Sequence, residues 1–187
     1  MVDNIEHIIE GCRRNDSAAQ KMLYEEYSGC MFGVCLRYAE SKQDAEDILH
    51  EGFLKIFEKI QQFKSRGSFV GWMRKIMVNT ALEKFRNQYK VVSMTEDAQE
   101  FEQTAYEDIN VNLTAMELMN FIQELSPQYR MVFNMYAIEG YSHKEIGTIL
   151  HISEGTSKSN LSRARMILQE KVKAYYKQGL RREEKSL

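Results

Sequence analysis

Residues 142–165 read SHKEIGTILHISEGTSKSNLSRAR, and the fold follows from how that stretch divides. Ser142 and Glu145 stand three apart just ahead of an apolar run. In a capping box the serine side chain accepts the backbone N–H three residues on, and the glutamate reaches back to the serine's own N–H. The spacing predicts a very short helix through Leu150. His151-Ile152-Ser153 supplies a turn and a new capping serine, and a long helix is expected from Glu154 to about Gln178. A short helix, a tight turn and a longer basic helix form the helix-turn-helix pattern.

On the long helix Leu161, Leu168 and Val172 fall on the core side, while Thr156, Ser159 and Arg163 recur at three and four on the opposite side. Ser157 lies toward the core side, and Lys158 and Arg165 flank the apolar face. Small polar residues that approach base edges, with cations on phosphates, make this a candidate recognition helix for duplex DNA. Upstream, Ser126-Pro127 places serine at a cap and proline at the first helical position. That helix carries Met131, Val132, Met135, Tyr136 and Ile138 and stops at Gly140. Before it, Met116, Met119, Phe121, Ile122 and Leu125 mark a helical face in a unit that begins near Leu113.

The first 90 residues also read as helices. Ile5, Ile8, Ile9 and Cys12 share a face over about Asn4–Arg13, and Asn15-Asp16-Ser17 breaks and caps. Met22, Leu23, Tyr27, Cys30, Met31 and Val34 recur at helical spacing to about Tyr38. Ser41 caps a third helix running to about Ile60, with Asp44 where a capping box wants an acid. Gln61–Gly67 is a polar turn, and Ser68 opens a fourth helix to about Tyr89. Residues 91–112 are acidic and aperiodic, a flexible linker or loosely docked segment, with a short surface helix near Phe101–Ile109 as the alternative. The expected architecture is therefore all-α: a helical domain over 1–90, an acidic linker over 91–112 and a second helical domain over 113–187. One proline in 187 residues agrees, since proline breaks helix interiors.

The net charge of −2 conceals blocks. Residues 1–58 balance to −6, 59–90 to +7, 91–125 to −8 and 126–187 to +5, and such blocks mark partners better than totals do. On the third helix Ala45, Ile48, Leu49, Ile56 and Ile60 share one arc, while Asp44, Asp47, Glu51 and Glu58 cluster on the far side, a surface suited to a basic protein partner. The fourth helix aligns Trp72, Lys75, Asn79 and Arg86, with Glu83 beside them; Lys64, Arg66, Arg74, Lys84 and Lys90 add charge nearby. Cations bind phosphates, asparagine reads base edges and aromatic rings stack on unpaired bases. Trp72 itself reads as core, with Met73, Ile76 and Met77.

Other classes find little support. Cys12, Cys30 and Cys35 are odd in number and lack CxxC spacing, so they read as buried thiols. No run of about 18 apolar residues exists to span a membrane. The start MVDNIEHIIEGCRRND lacks a basic, apolar leader, so the chain is expected to stay in the cytoplasm. There is no glycine-rich phosphate loop, metal-spaced cluster or GxSxG, so neither an enzyme nor a cofactor is expected. His7, His50, His143 and His151 are scattered and read as surface or capping residues.

The run Asp44-Ala45-Glu46-Asp47-Ile48-Leu49-His50-Glu51-Gly52-Phe53 resembles the DAED-type segment of bacterial sigma factors. Ser68-Phe69-Val70-Gly71-Trp72-Met73, Asn79-Thr80-Ala81-Leu82, Leu125-Ser126-Pro127-Gln128-Tyr129-Arg130, Tyr141-Ser142-x-x-Glu145-Ile146, Ile152-Ser153-Glu154-Gly155-Thr156 and Ser162-Arg163-Ala164-Arg165 follow in an order similar to the extracytoplasmic-function (ECF) sigma factors. The resemblance implies regions two and four joined by a linker that threads toward the RNA exit path. It implies a partner in core RNA polymerase, bound through Asp44, Asp47, Glu51 and Phe53, and promoter DNA as a second partner. Lys64, Ser65 and Arg66 would form a flipped-base pocket at the minus-ten element, with Lys75, Asn79 and Arg86 on the strands. Thr156, Lys158, Ser159, Asn160, Arg163 and Arg165 would meet the minus-thirty-five element. An anti-sigma factor and a monomeric free state are further implications. His50, Glu83, Ser157 and Asn160 depart from the residues usual in the family, the last two within the recognition helix. The rival reading is a stand-alone helix-turn-helix regulator that binds duplex DNA without polymerase; the N-terminal half lacks the α/β pattern of a phosphoacceptor domain.

Overall fold

The computed structural model describes residues 2–64, 67–89 and 114–183, and the chain divides into two units, Met1–Val92 and Ser93–Leu187. Among the described residues there is no strand. The linker reading of 91–112 and the alternative helix near Phe101–Ile109 lie outside the described residues.

The first unit is built from α1 (Val2–Arg13), α2 (Ser17–Leu36), α3 (Lys42–Lys59), a single 3-10 turn (Ile60–Gln62) and α4 (Phe69–Tyr89). Its breaks are chemical. Asn15 takes a left-handed φ of 58°, and the Asp16 carboxylate accepts the Ala18 N–H at 2.8 Å, starting α2. Ser41 Oγ accepts the Asp44 N–H at 3.1 Å, while the Asp44 carboxylate accepts the N–H of Glu40, one residue beyond the cap. The core is a mixed layer of Ile8, Ile9 and Cys12 from α1, Leu23, Met31 and Cys35 from α2, Ile48, Phe53 and Ile56 from α3, and Met73, Met77 and Leu82 from α4. Each of the Ile, Leu, Met and Phe side chains contributes about 1.5–3 kcal/mol relative to exposure. Gly52 sets how closely α3 approaches α4, because a Cβ there would stand 2.2 Å from Met77 Sδ. Phe63, Phe69 and Trp72 close one end, with ring centroids 5.0–5.6 Å apart. Phe69 is buried there, whereas Trp72 and Ile76 are only half-buried, so neither is the full core residue expected.

The second unit holds α5 (Ala115–Gln123), α6 (Pro127–Phe133), a π-helical turn (Asn134–Ile138), α7 (His143–Leu150) and α8 (Glu154–Glu183). Thr114 and Glu117 make a reciprocal capping box for α5, as Ser142 and Glu145 do for α7. Ile122, Leu125, Ala164 and Leu168 form one buried cluster, with Phe121, Tyr129, Phe133, Ile138 and Ile167 packed against it, and Met131, Val132, Met135, Ile146 and Leu161 are buried in the same unit. Val172 is only half-buried, not the core residue expected, and Met116 faces out at 75% exposure in the first turn of α5. Ser126 makes no side-chain cap bond, and α6 starts on Pro127 alone. The helix expected to run on to Gly140 instead widens into a π turn, closed by the Glu139 N–H on Asn134 O at 3.0 Å, before Gly140 turns with φ +77°. His151 ends α7 in the left-handed conformation, φ 57°, and Ser153 Oγ accepts the Thr156 N–H at 2.9 Å to start α8. The turn of the helix-turn-helix is thus made by one left-handed residue between two capped helices.

Candidate polymerase and promoter interfaces

The exposed face of α3 carries Asp47, Glu51, Leu54 and Glu58. Leu54 is 69% exposed, and at about 100° per residue it falls among the three carboxylates. An apolar side chain ringed by acids suits a surface that is both cationic and amphipathic. Asp44 does not belong to this open face. It is largely covered, and its carboxylate is taken by Lys84 Nζ at 2.5 Å and by the Glu40 N–H at 2.8 Å. Phe53 requires a correction: at 2% exposure it touches no surface, because it sits on the opposite arc of α3 with its ring 4.7 Å from Tyr24 of α2.

Two lysines pin this face to α4. Lys84 pairs with Asp44 and, at 3.4 Å, with Asp47. Lys55 is shared by Glu51 and by Glu83 of α4, each at 2.7 Å. Burial opposes the charge of both lysines, yet the hydrogen bonds they donate to their carboxylate partners outweigh it and raise both above the ordinary lysine value. The Lys55 hydrogen bond, in turn, holds Glu83 below the usual carboxylate range. Lys84, counted among the DNA-facing cations from sequence, is therefore part of an interhelical clamp. Lys75 and Asn79 do lie exposed on α4 with Arg86 half-buried beyond them, and Lys64 is exposed in the turn before it. Ser65 and Arg66 lie outside the described residues.

On α8 the expected contacts divide. Lys158 is exposed and pairs with Glu154 one turn earlier at 2.8 Å. Thr156 and Ser159 are half-buried; the Thr156 hydroxyl shares a hydrogen bond with Ser153, and Ser159 Oγ donates to Thr156 O at 3.1 Å. Arg163 donates to the Tyr129 hydroxyl at 3.2 Å, and the Arg165 guanidinium lies 5.6 Å from the centre of the Tyr136 ring. Asn160 is a second correction, since at 4% exposure it is packed inside the unit beside buried Leu161 rather than presented to a groove. Ser157 is fully buried, and its hydroxyl meets His143 Nδ1 at 2.9 Å. That pairing, the lysine clamps and Leu54 escaped the sequence reading. Placing Leu54 on the same helical wheel would have exposed it; the other two join residues 14 to 40 apart and leave no local signal.

Two family models match the chain, one in each unit. The model for sigma-70 region 2 matches residues 23–91, and that for sigma-70 region 4 matches 115–168. The RNA polymerase sigma-H factor of Pseudomonas aeruginosa is 27% identical over 172 residues, 86% of this chain and 89% of that one. The ECF RNA polymerase sigma factor SigW of Bacillus subtilis is 27% identical over 177 residues, 88% of this chain and 95% of that one. A solved structure of the sigma factor RpoE from Bartonella quintana with the anti-sigma factor NepR aligns over 82% of this chain and 96% of its own, at 21% identity and a TM-score of 0.47. The chain belongs to the sigma-70 family of transcription initiation factors, in its extracytoplasmic-function type.

Proposed function

We infer that this chain binds core RNA polymerase and directs it to chosen promoters. The observation that carries the reading is the presence of regions 2 and 4, in that order, in one chain. Residues 1–90 serve docking and the minus-ten element, 91–112 link, and 113–187 serve the minus-thirty-five element. Docking uses Asp47, Glu51, Leu54 and Glu58, with Asp44 and Phe53 acting behind that face, the first as a clamp to α4 and the second as core. Lys64, Ser65, Arg66, Lys75, Asn79 and Arg86 engage the opening minus-ten strands, where extruding a base costs a few kcal/mol that cation–phosphate contacts and a pocket offset. Lys158 grips phosphate, and Arg163 and Arg165 reach DNA from the exposed edge of α8 by exchanging their tyrosine contacts for the duplex; Thr156 and Ser159 sit at its first turns.

The role is one of binding and placement, with nucleotide addition left to the polymerase. It belongs in the cytoplasm, where polymerase and chromosome meet; among the described residues no helix is long and apolar enough to cross a membrane. An anti-sigma protein that covers these faces is the partner expected to hold the chain inactive. Purified chain added to core polymerase should yield run-off transcripts with discrete start sites from a pool of genomic fragments; their absence from every fragment would refute the reading.

A further inference from the structure

His143 opens α7 and Ser157 lies in the second turn of α8, so their hydrogen bond joins the two helices of the helix-turn-helix across the turn. The imidazole is also stacked on Tyr136 of the π turn, centroids 4.5 Å apart and planes 20° from parallel. Arg165, a full helical stretch beyond Ser157, stands over that same tyrosine ring. One contiguous chain of contacts therefore runs Ser157–His143–Tyr136–Arg165, leaving α8 near its start and returning to it about two turns later.

The direction of the hydrogen bond follows from burial. Ser157 is fully enclosed, and a buried hydroxyl must place its proton on an acceptor. Among the described residues, His143 Nδ1 is the partner within hydrogen-bond distance of its hydroxyl. With Nδ1 as the acceptor, the imidazole is neutral and carries its proton on Nε2. The charged groups facing it are Lys158, Glu154 and Arg165 of α8, with the Tyr136 ring from the π turn.

We propose that His143 is a positioning residue for the recognition helix, holding the angle and register of α8 through Ser157 and aiming Arg165 through Tyr136. It rests on the reading of the second unit as the part that meets the upstream promoter element. Protonation would put a hydrogen on Nδ1, remove the acceptor and leave the Ser157 hydroxyl without a place for its proton. Burial and then Lys158 depress the imidazole below its ordinary value of 6.5, against a smaller opposing effect of Glu154. A base with a depressed value in the folded state favours folding above the unfolded value. The lock is therefore complete at pH 6.5 and above, and is lost only at lower pH, as the pH falls through the depressed folded value.

Two measurements on the full chain test this. Histidine nitrogen NMR at pH 8 should find His143 as the Nε2–H tautomer, and Ser157→Ala should shift it toward the other tautomer. An unchanged tautomer in Ser157→Ala overturns the proposal. In the holoenzyme, discrimination between a selected promoter and the same promoter with its upstream element scrambled should be several-fold better at pH 8 than at pH 5. His143→Phe, which keeps a ring on Tyr136, should lower it about tenfold at pH 8 and abolish the pH dependence. Adding Ser157→Val to His143→Phe should restore it to within about twofold, since the buried hydroxyl has gone as well. Unaltered discrimination in His143→Phe, or a pH profile that survives in the double variant, overturns the proposal. A wild-type chain that initiates at no discrete site refutes the initiation-factor reading instead, and the tautomer then decides the hydrogen bond by itself.

Discussion

The two units solve the same problem, presenting one helix at a fixed angle to its neighbour, by different means. In the first, α3 and α4 are held by side chains distant in sequence: Gly52 against Met77, Lys55 against Glu83, Lys84 against Asp44 and Asp47. In the second, α7 and α8 are set by local chemistry: a capping box at Ser142 and Glu145, a left-handed His151, and Ser153 at the next cap. The difference teaches where each is vulnerable. A close-packed crossing fails when volume changes, and its ion pairs weaken with salt; a capped turn fails when a single backbone partner is removed.

The sharpest way to break the comparison is Gly52→Ala. Its Cβ would overlap the Met77 sulfur, so we expect a loss of about 1–3 kcal/mol. Hydrogen exchange should report it in the first unit alone, and combining it with Met77→Ala should cost less than the two losses added. A fully additive pair would mean that α3 and α4 simply move apart. Next, Asp47→Lys with Glu51→Lys should weaken core-polymerase binding at least tenfold while circular dichroism stays unchanged. Leu54→Asp should weaken it too, even though it adds negative charge; if it strengthens binding, the face is read by charge alone.

In the second unit Ser142→Ala should cost about 1 kcal/mol, seen as a lowered melting midpoint for α7 and α8 with no salt dependence. Lys84→Met in the first unit should cost less, about 0–1 kcal/mol, and the loss should shrink in high salt because the pair is partly exposed. The smallest effect concerns promoter binding: Lys158→Ala should weaken it almost uniformly across sequences and reduce the salt slope by about one. In acid, the pair of Lys55 with Glu83 adds a minor loss. Because the Glu83 value is depressed in the folded state, its contribution is present above the ordinary 4.5 and fades as pH falls below that, which Lys55→Met should abolish.

These contrasts also explain how much could be read in advance. The helices were legible, since each cap and apolar face involves residues three or four apart. The cap at Asp16, the box at Ser142 and Glu145 and the turn at His151-Ile152-Ser153 stand where their spacing put them. The box at Thr114 and Glu117 was equally legible, being the same motif, and went unread. The candidate site was less accessible. Phe53 and Asn160 look like surface contacts in a linear motif, and both are buried. Lys84 looks like a DNA-facing cation and is instead engaged by two carboxylates of another helix.

By itself, then, the sequence determined the all-α class, the two helical units, the acidic stripe on the third helix and the turn that defines the recognition helix. All of these are set by backbone propensity and by partners within one or two turns. Only the tertiary structure decided which charges remain available and which are spent on a neighbouring helix, which members of each motif face inward, and that His143 and Ser157 meet. Those outcomes depend on residues 14 to 40 positions apart, brought together by the burial of apolar faces, and burial selects a packing that no local spacing records.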